Sequence, residues 1–151
     1  GFDMKILVNS KSLESRKSEY PHVENVSFED LIIKSDIISF HCKAPKDGKP
    51  MITKEHYKKM KPTSYIINAA RGNIVDEKDL NEALNENLIA GAALDVFSKE
   101  PAKENVLFNN PKAILTPHIG ASTTEASIVV AEMVANQISD FLLKGTKLNT
   151  V

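Results

Sequence analysis

The chain has 151 residues, the size of one ordinary domain, and its 42% hydrophobic and 26% charged residues are typical of a globular protein with an apolar core. Nineteen basic and twenty acidic side chains give a net charge of −1, which argues against a nucleic-acid or membrane partner held by bulk charge. The single cysteine excludes a disulfide framework. Because the chain shows no secretory signal and no window of 18 apolar residues, we expect a cytoplasmic protein.

Short apolar runs alternate with amphipathic stretches in chain order. The predicted strands are residues 5–8, 36–41, 65–68, 90–94 and 113–115. The predicted helices begin at Ser27, Thr53, Asp76 and a capping box over residues 122–125, and the last one runs to about Leu143 before Gly145. Because the strands are apolar throughout and are separated by helices, we expect one α/β domain whose parallel sheet is covered on both faces.

Polar residues follow the carboxyl ends of these strands, which is where open parallel sheets bind ligands. They are Asn9, His41, Asn68, Asp95 and Thr116. An asparagine at such a place also commonly closes a turn, and a histidine is as often a hydrogen-bonded core residue. The set, rather than any single member, predicts a binding site.

Two stretches carry more chemistry. Residues 67–76 place Arg71 in a tight turn, where it either reaches to solvent or forms a bidentate pair with a ligand carboxylate. Residues 91–101 supply carboxylates and residues 115–123 supply His118. A carboxylate and a histidine that both follow strands can form a hydrogen-bonded pair, in which the carboxylate orients the ring and stabilises its charged form.

In this order, these stretches resemble the nucleotide-binding domain of the D-isomer-specific 2-hydroxyacid dehydrogenases. The similarity starts near Asp3 and includes residues 41–45, 60–62, 68–72, 91–101 and 116–123. Within the family, His-Ile-Gly-Ala-Ser-Thr-Thr-Glu-Ala at 118–126 is most similar to the D-3-phosphoglycerate dehydrogenases. Glyoxylate and hydroxypyruvate reductases tend to reverse the Ala-Ser order, and formate dehydrogenases of this fold carry Gln in place of Glu100.

The resemblance implies a Rossmann-like doubly wound parallel sheet and hydride transfer between NAD and a D-2-hydroxy acid. The implied reaction is oxidation of 3-phosphoglycerate to 3-phosphohydroxypyruvate in L-serine biosynthesis, with a homodimer or homotetramer as the assembly. Arg71 would hold the substrate carboxylate, His118 would act as general acid/base, and Glu100 would bond the second imidazole nitrogen. The implied cofactor contacts are Asn9, His41, Cys42, Ala69, Ala70, Arg71, Asp95, His118 and Gly120, with Asp95 on the nicotinamide carboxamide.

The chain departs from the family pattern at two places. The glycine-rich fingerprint G-x-G-x-x-G after the first strand is absent. We therefore expect residues 1–151 to be a partial NAD-binding domain that is truncated at its N-terminal βα unit and lacks the substrate domain. Such a chain alone is expected to bind a dinucleotide poorly. The missing strand is expected to leave open edges on the strand around Leu7 and on a strand near Ile67 or beyond it. Asn9 stands where the family often has an acidic residue, which keeps NADP open beside NAD. Lys11 and Arg16 are nearby, although such surface charges more often belong to a solvated loop.

Other classes fit less well. A phosphoacceptor receiver needs clustered acidic residues at the strand ends to hold magnesium, whereas Asp95 stands alone there. A serine hydrolase of the α/β type needs a G-x-S-x-G elbow, and the chain has none. Within the family, a hydroxypyruvate or glyoxylate reductase and a catalytically silent corepressor remain alternatives, although the presence of Arg71, Glu100 and His118 favours a catalyst.

Overall fold

The computed structural model describes residues 3–148, which fall into two compact units with the boundary between Pro117 and His118. The strands of the first unit are β1 (Ile6–Val8), β2 (Val23–Asn25), β3 (Ile37–Phe40), β4 (Tyr65–Asn68), β5 (Gly91–Leu94) and β6 (Ala113–Leu115). Its helices are α1 (Phe28–Lys34), α2 (Lys54–Tyr57) and α3 (Glu77–Asn85), with short 3₁₀ turns at Glu14–Arg16 and Gly72–Ile74. The second unit contains α4 (Thr124–Lys144).

All the strand pairs in the described part of the chain are parallel, which confirms the predicted Rossmann-like α/β fold. Strands β3, β4, β5 and β6 form one sheet in that order, and their register places Ile37, Tyr65 and Gly91 side by side. Strands β1 and β2 form a separate two-stranded sheet. Strand β2 was not predicted, because Val23 is the only apolar residue of its three.

The strand order shows which strands lie at the open edges of the two sheets. Within residues 3–148, strand β1 pairs with β2 alone, as expected for the edge around Leu7. The second open edge, expected near Ile67 or beyond it, is not at Ile67 itself, because β4 pairs with β3 on one side and with β5 on the other. The edge strands of the larger sheet are β3 and β6.

One face of the four-stranded sheet forms the core. Ile38, Phe40, Ile66 and Leu94 are buried, and they pack in one cluster with the apolar residues of α3. Alternate side chains point to the other face and are exposed there. Their exposed fractions are 48% for Ile37, 50% for Tyr65, 38% for Ile67 and 71% for Ile114. The expectation that both faces are covered is therefore not met in the described chain, since neighbouring residues of a strand point to opposite faces.

The helix ends follow the predicted caps, with one shift. Ser27 accepts a hydrogen bond from the Asp30 amide at 3.0 Å, as a helix N-cap does. Helix α4 is capped by Thr123, which accepts from the Ala126 amide at 3.1 Å, one residue later than the capping box predicts. Gly145 ends α4 with a φ of 67°, the left-handed conformation that favours glycine.

Helix α4 differs from the others in its exposure. None of its 21 residues is buried, although much of the helix is apolar. By length and composition alone α4 could cross a membrane, although the polar residues Asn136 and Asp140 lie within it.

Candidate active site

Four of the five predicted strand-end residues lie along one edge of the four-stranded sheet, whereas Asn9 follows β1 of the separate two-stranded sheet. His41 follows β3, Asn68 ends β4, Asp95 follows β5 and Thr116 follows β6. Because the four strands are parallel and pair in register, these residues line the carboxyl edge of one continuous sheet. This is the edge at which sheets of this class bind their ligands.

Asn68 shapes the turn that carries Arg71. Its side chain is fully buried, its Oδ1 accepts from the Ala70 amide at 3.1 Å, and its Nδ2 donates to the Arg71 carbonyl at 2.9 Å. Both ends of the amide are therefore used to close the turn over Ala69 and Ala70. Arg71 itself is exposed, and its Nη1 donates to the Ala70 carbonyl at 2.6 Å. The turn presents a cation at the sheet edge.

Gly72 brings this turn against the loop after β5. A Cβ at Gly72 would lie 1.9 Å from the carbonyl oxygen of Phe97, so only glycine permits this approach. In the same loop, Glu100 Oε1 accepts from the Phe97 amide at 2.9 Å. The turn carrying Arg71 and the loop carrying Glu100 are thus packed together, although 29 positions (100 − 71) separate the two residues.

Glu77 anchors this loop from the first turn of α3. Its Oε1 accepts from the Ser98 amide at 2.7 Å, and its Oε2 accepts from Ser98 Oγ at 3.0 Å and from Asn105 Nδ2 at 2.8 Å. A surface helix with an acidic first turn gives no sign of this role, so sequence reasoning missed Glu77. Sequence reasoning predicted the tight turn at Gly72 but not its close approach to Phe97, because the two residues are far apart along the chain.

Asp95 and Thr116 join the ends of β5 and β6. Thr116 Oγ1 donates to Asp95 Oδ1 at 2.5 Å, and both residues are half-buried. The Asp95 backbone amide donates to the Asn68 carbonyl at 2.9 Å, which extends the sheet by one bond. A carboxylate held in this way is a fixed acceptor at the sheet edge, suited to an amide donor.

His118 and Gly120 belong to the second unit. His118 is exposed and has a φ of 57°, an uncommon conformation for a residue other than glycine that often occurs at functional sites. The following turn is closed by a bond from the Ser122 amide to the Ile119 carbonyl at 2.9 Å, directly before α4.

The segment after β3 is open to solvent. His41 is exposed, and its Nε2 lies 2.9 Å from Ser39 Oγ, so it is not a buried core histidine. Cys42 is also exposed, with its Sγ 3.8 Å from Met51 Sδ. Among residues 3–148, no group of three or more histidine, cysteine, aspartate or glutamate side chains is placed to hold a metal ion.

Residues 1–120 match the family model described as the NAD binding domain of D-isomer specific 2-hydroxyacid dehydrogenases. The chain belongs to this family. It is 42% identical over 141 residues to a glyoxylate reductase of Thermococcus litoralis, covering 93% of the chain and 43% of that relative. It is 40% identical over 140 residues to a D-3-phosphoglycerate dehydrogenase of Bacillus subtilis, covering 93% of the chain and 27% of that relative.

Solved structures of dehydrogenases are similar to this chain in fold. Apo D-mandelate dehydrogenase of Rhodotorula graminis superposes with a TM-score of 0.87 at 30% identity, covering 99% of the chain and 44% of that protein. A D-isomer specific 2-hydroxyacid dehydrogenase of Lactobacillus delbrueckii in its NAD-complexed form gives a TM-score of 0.79 at 25% identity, covering 96% of the chain and 48% of that protein. The chain thus spans less than half the length of these relatives.

The cofactor of this domain family is NAD, and the described residues fit one part of it. The half-buried Asp95 carboxylate at the sheet edge suits the carboxamide of a nicotinamide. The pyrophosphate has no matching cradle within this sequence, which lacks a G-x-G-x-x-G motif after a strand. The nicotinamide end is therefore the part of the cofactor that the described residues fit.

Proposed function

We propose that this chain forms part of an NAD-dependent enzyme that transfers a hydride between the cofactor and a D-2-hydroxy acid. The observation that supports the proposal best is the packing of the Arg71 turn on the loop of Glu100, through Gly72 and Phe97, beside the ligand-binding edge of the sheet. Membership of the family supplies the reaction class. A cytoplasmic location and a homodimeric or homotetrameric assembly belong to the same proposal.

Each of the three site residues has a role that its chemistry permits. The planar, permanently charged guanidinium of Arg71 binds the substrate carboxylate and orients C2. His118 takes the proton of the C2 hydroxyl as the C2–H bond breaks, and Glu100 orients the imidazole and stabilises its charged form. A bound nicotinamide would supply the acceptor for the hydride that leaves C2. In the reverse direction, His118 returns the proton to the oxygen of the 2-oxo acid.

The substrate that we propose first is 3-phosphoglycerate, oxidised to 3-phosphohydroxypyruvate. The stretch at residues 118–126 supports it, as does the relative from Bacillus subtilis that is named a D-3-phosphoglycerate dehydrogenase. Glyoxylate or hydroxypyruvate reduction is the second candidate, because the relative from Thermococcus litoralis is named a glyoxylate reductase and has a similar identity. Initial rates of the purified protein, expressed from its complete gene, with these acids and each nicotinamide cofactor distinguish the two.

Variants of the same protein test the site. We expect His118→Ala to lower turnover by about 10²–10⁴-fold, the usual contribution of a positioned general acid/base. Arg71→Ala should mainly raise KM, because it removes the carboxylate contact. Lys99→Ala, an exposed cation next to Glu100, is the control and should leave both constants unchanged. Full turnover in the His118 variant would disprove the assignment.

A further inference from the structure

We propose that Glu77, in the first turn of α3, is a positioning residue that sets the direction of the Glu100 carboxylate during proton transfer. It acts through the loop that it anchors and not by contact with the substrate. The role rests on the proposed function, in which Glu100 orients the imidazole of His118. Glu100 is exposed, so burial in the core does not fix its side chain. The backbone of its own loop has to do so.

Two consecutive backbone amides of this loop link the two carboxylates. The Phe97 amide donates to Glu100 Oε1 at 2.9 Å. The next amide, that of Ser98, donates to Glu77 Oε1 at 2.7 Å. Because adjacent amides are joined through a single Cα and the peptide units are planar, a shift of Ser98 moves the Phe97 amide as well. The direction of the Glu100 carboxylate therefore depends on the bond that Glu77 makes.

Glu77 also holds the far side of the loop. Its Oε2 accepts from Ser98 Oγ at 3.0 Å and from Asn105 Nδ2 at 2.8 Å. Asn105 Oδ1 in turn accepts from the Leu107 amide at 3.0 Å, and the Leu107 side chain is fully buried in the core. One carboxylate thus ties both sides of the segment that contains Glu100 to α3.

This arrangement requires both oxygens of a carboxylate. The three donors are a backbone amide, a hydroxyl and a side-chain amide, all of them neutral groups, so directed hydrogen bonds rather than charge pairing connect them to Glu77. A glutamine at this position has one acceptor oxygen, and its NH₂ group would face the NH₂ group of Asn105. Asn105 cannot turn its amide over without losing the bond from Leu107.

A displaced Glu100 is expected to slow the chemical step more than it weakens substrate binding. In the proposed function the substrate carboxylate is bound by Arg71, and Asn68 closes the turn of Arg71 with its own two bonds. Loss of the Glu77 contacts should therefore lower kcat and leave KM nearly unchanged, whereas a general collapse of the site would also raise KM. A misplacement of about 1 Å near the reacting atoms can cost about 10²-fold in rate.

Steady-state kinetics of the purified protein, expressed from its complete gene, test this role with the preferred acid and cofactor. We expect Glu77→Ala to lower kcat by about 10-fold to 100-fold and to change KM by less than about twofold. Amide hydrogen exchange across residues 97–105 should become faster in the same variant, because the loop has lost its anchor.

An exchange of two side chains tests the bonds themselves. Glu77→Gln should lower kcat because two NH₂ groups then face each other, and Asn105→Asp should lower it because two carboxylates do. The double variant Glu77→Gln/Asn105→Asp should restore kcat and slow hydrogen exchange, because amide and carboxylate have changed places and bond again. This exchange decides the question alone if Glu77→Ala does not fold.

The control is Glu82→Ala, which removes a carboxylate of the same helix that pairs with Lys54 at 2.9 Å. It should leave kcat and KM unchanged. An unchanged kcat in Glu77→Ala, or a kcat that stays low in the double variant, would overturn the positioning role and leave the proposed function intact. No turnover of the unsubstituted protein with either acid and either cofactor would overturn the proposed function, and the role of Glu77 with it.

Discussion

Tyr57 stands out among the described residues because its buried polar atom lacks a hydrogen bond. Its ring is fully buried in the core, and its hydroxyl has no hydrogen-bond partner among the described residues. Burial is the main cause that raises the pKa of Tyr57, and the negative charges of Asp79 and Asp76 add to it. An unsatisfied buried hydroxyl costs free energy of folding.

We expect Tyr57→Phe to raise the free energy of unfolding by about 1–3 kcal/mol at neutral pH, the penalty of an unpaired polar group. The raised pKa also gives a pH dependence. The neutral phenol is stable in the folded state, whereas the unfolded state ionises above a pH of about 10, so the native protein loses stability as the pH rises beyond that value. The Tyr57→Phe variant should lack this loss.

Urea unfolding at neutral and at alkaline pH measures both effects. Tyr65→Phe is the matched control, because Tyr65 is half exposed and its substitution should change neither quantity appreciably. If Tyr57→Phe proved destabilising instead, the hydroxyl would have to be bonded to a buried water.

Gly72 is the residue on which the geometry of the candidate site depends most. Gly72→Ala places a methyl group 1.9 Å from the Phe97 carbonyl, and the obstacle is backbone that must shift as a whole. We expect a loss of about 1–3 kcal/mol in stability, typical of overpacking, and a fall in activity because the loop of Glu100 moves. Gly48→Ala is the control, since Gly48 has a φ of 72° with nothing within 4 Å. It should cost about 1 kcal/mol through its backbone alone and leave activity unchanged.

Among the elements, α3 depends on its N-cap. Asp76 accepts from the amides of Lys78 and Asp79, each at 3.0 Å. Asp76→Ala should lower the free energy of unfolding by about 0.5–2 kcal/mol, while Asp76→Asn, which still accepts these bonds, should lose much less. Thermal unfolding followed by circular dichroism separates the two, and equal losses would mean that the cap is not the source of the effect.

The sequence predicts elements well where apolar residues accumulate. Five of the described strands were anticipated, because runs such as Tyr65–Asn68 are apolar and bounded by turn residues. Strand β2 was missed because its alternation is carried by Val23 alone, and it forms through backbone pairing with β1. The start of α4 was placed one residue early, since Ser122 and Thr123 are equally good caps and local pattern does not choose between them.

For the candidate site, sequence reasoning placed the strand ends and missed what holds them. A residue that follows a buried parallel strand is at the carboxyl edge by topology, so His41, Asn68 and Asp95 were predictable. The bonds of Glu77 to Ser98 and Asn105 join segments 21 and 28 residues apart, and only the folded chain shows them. The salt bridge between Arg16 and Glu19, at 2.7 Å, is of the same kind, because charge alone does not tell an ion pair from a ligand site.

At the scale of the whole molecule, apolar surface is exposed in each of the two units. In the first unit, Ile37, Tyr65, Ile67 and Ile114 lie on one face of the four-stranded sheet. In the second unit, every residue of α4 is at least partly exposed. Contiguous apolar surface of this kind, next to unpaired strand edges, promotes association.

We therefore expect the 151-residue chain by itself to self-associate in a concentration-dependent manner, with binding of a hydrophobic dye. Sedimentation velocity over a range of protein concentrations measures this association. Ile114→Lys and Ile37→Lys should lower it, because each places a charge on the exposed sheet face without disturbing the buried one. Val106→Lys introduces the same charge at a residue that is 49% exposed and lies outside the strands, so it should change association little. A chain that stays monomeric at all concentrations, or variants that all behave alike, would show that this face does not drive association.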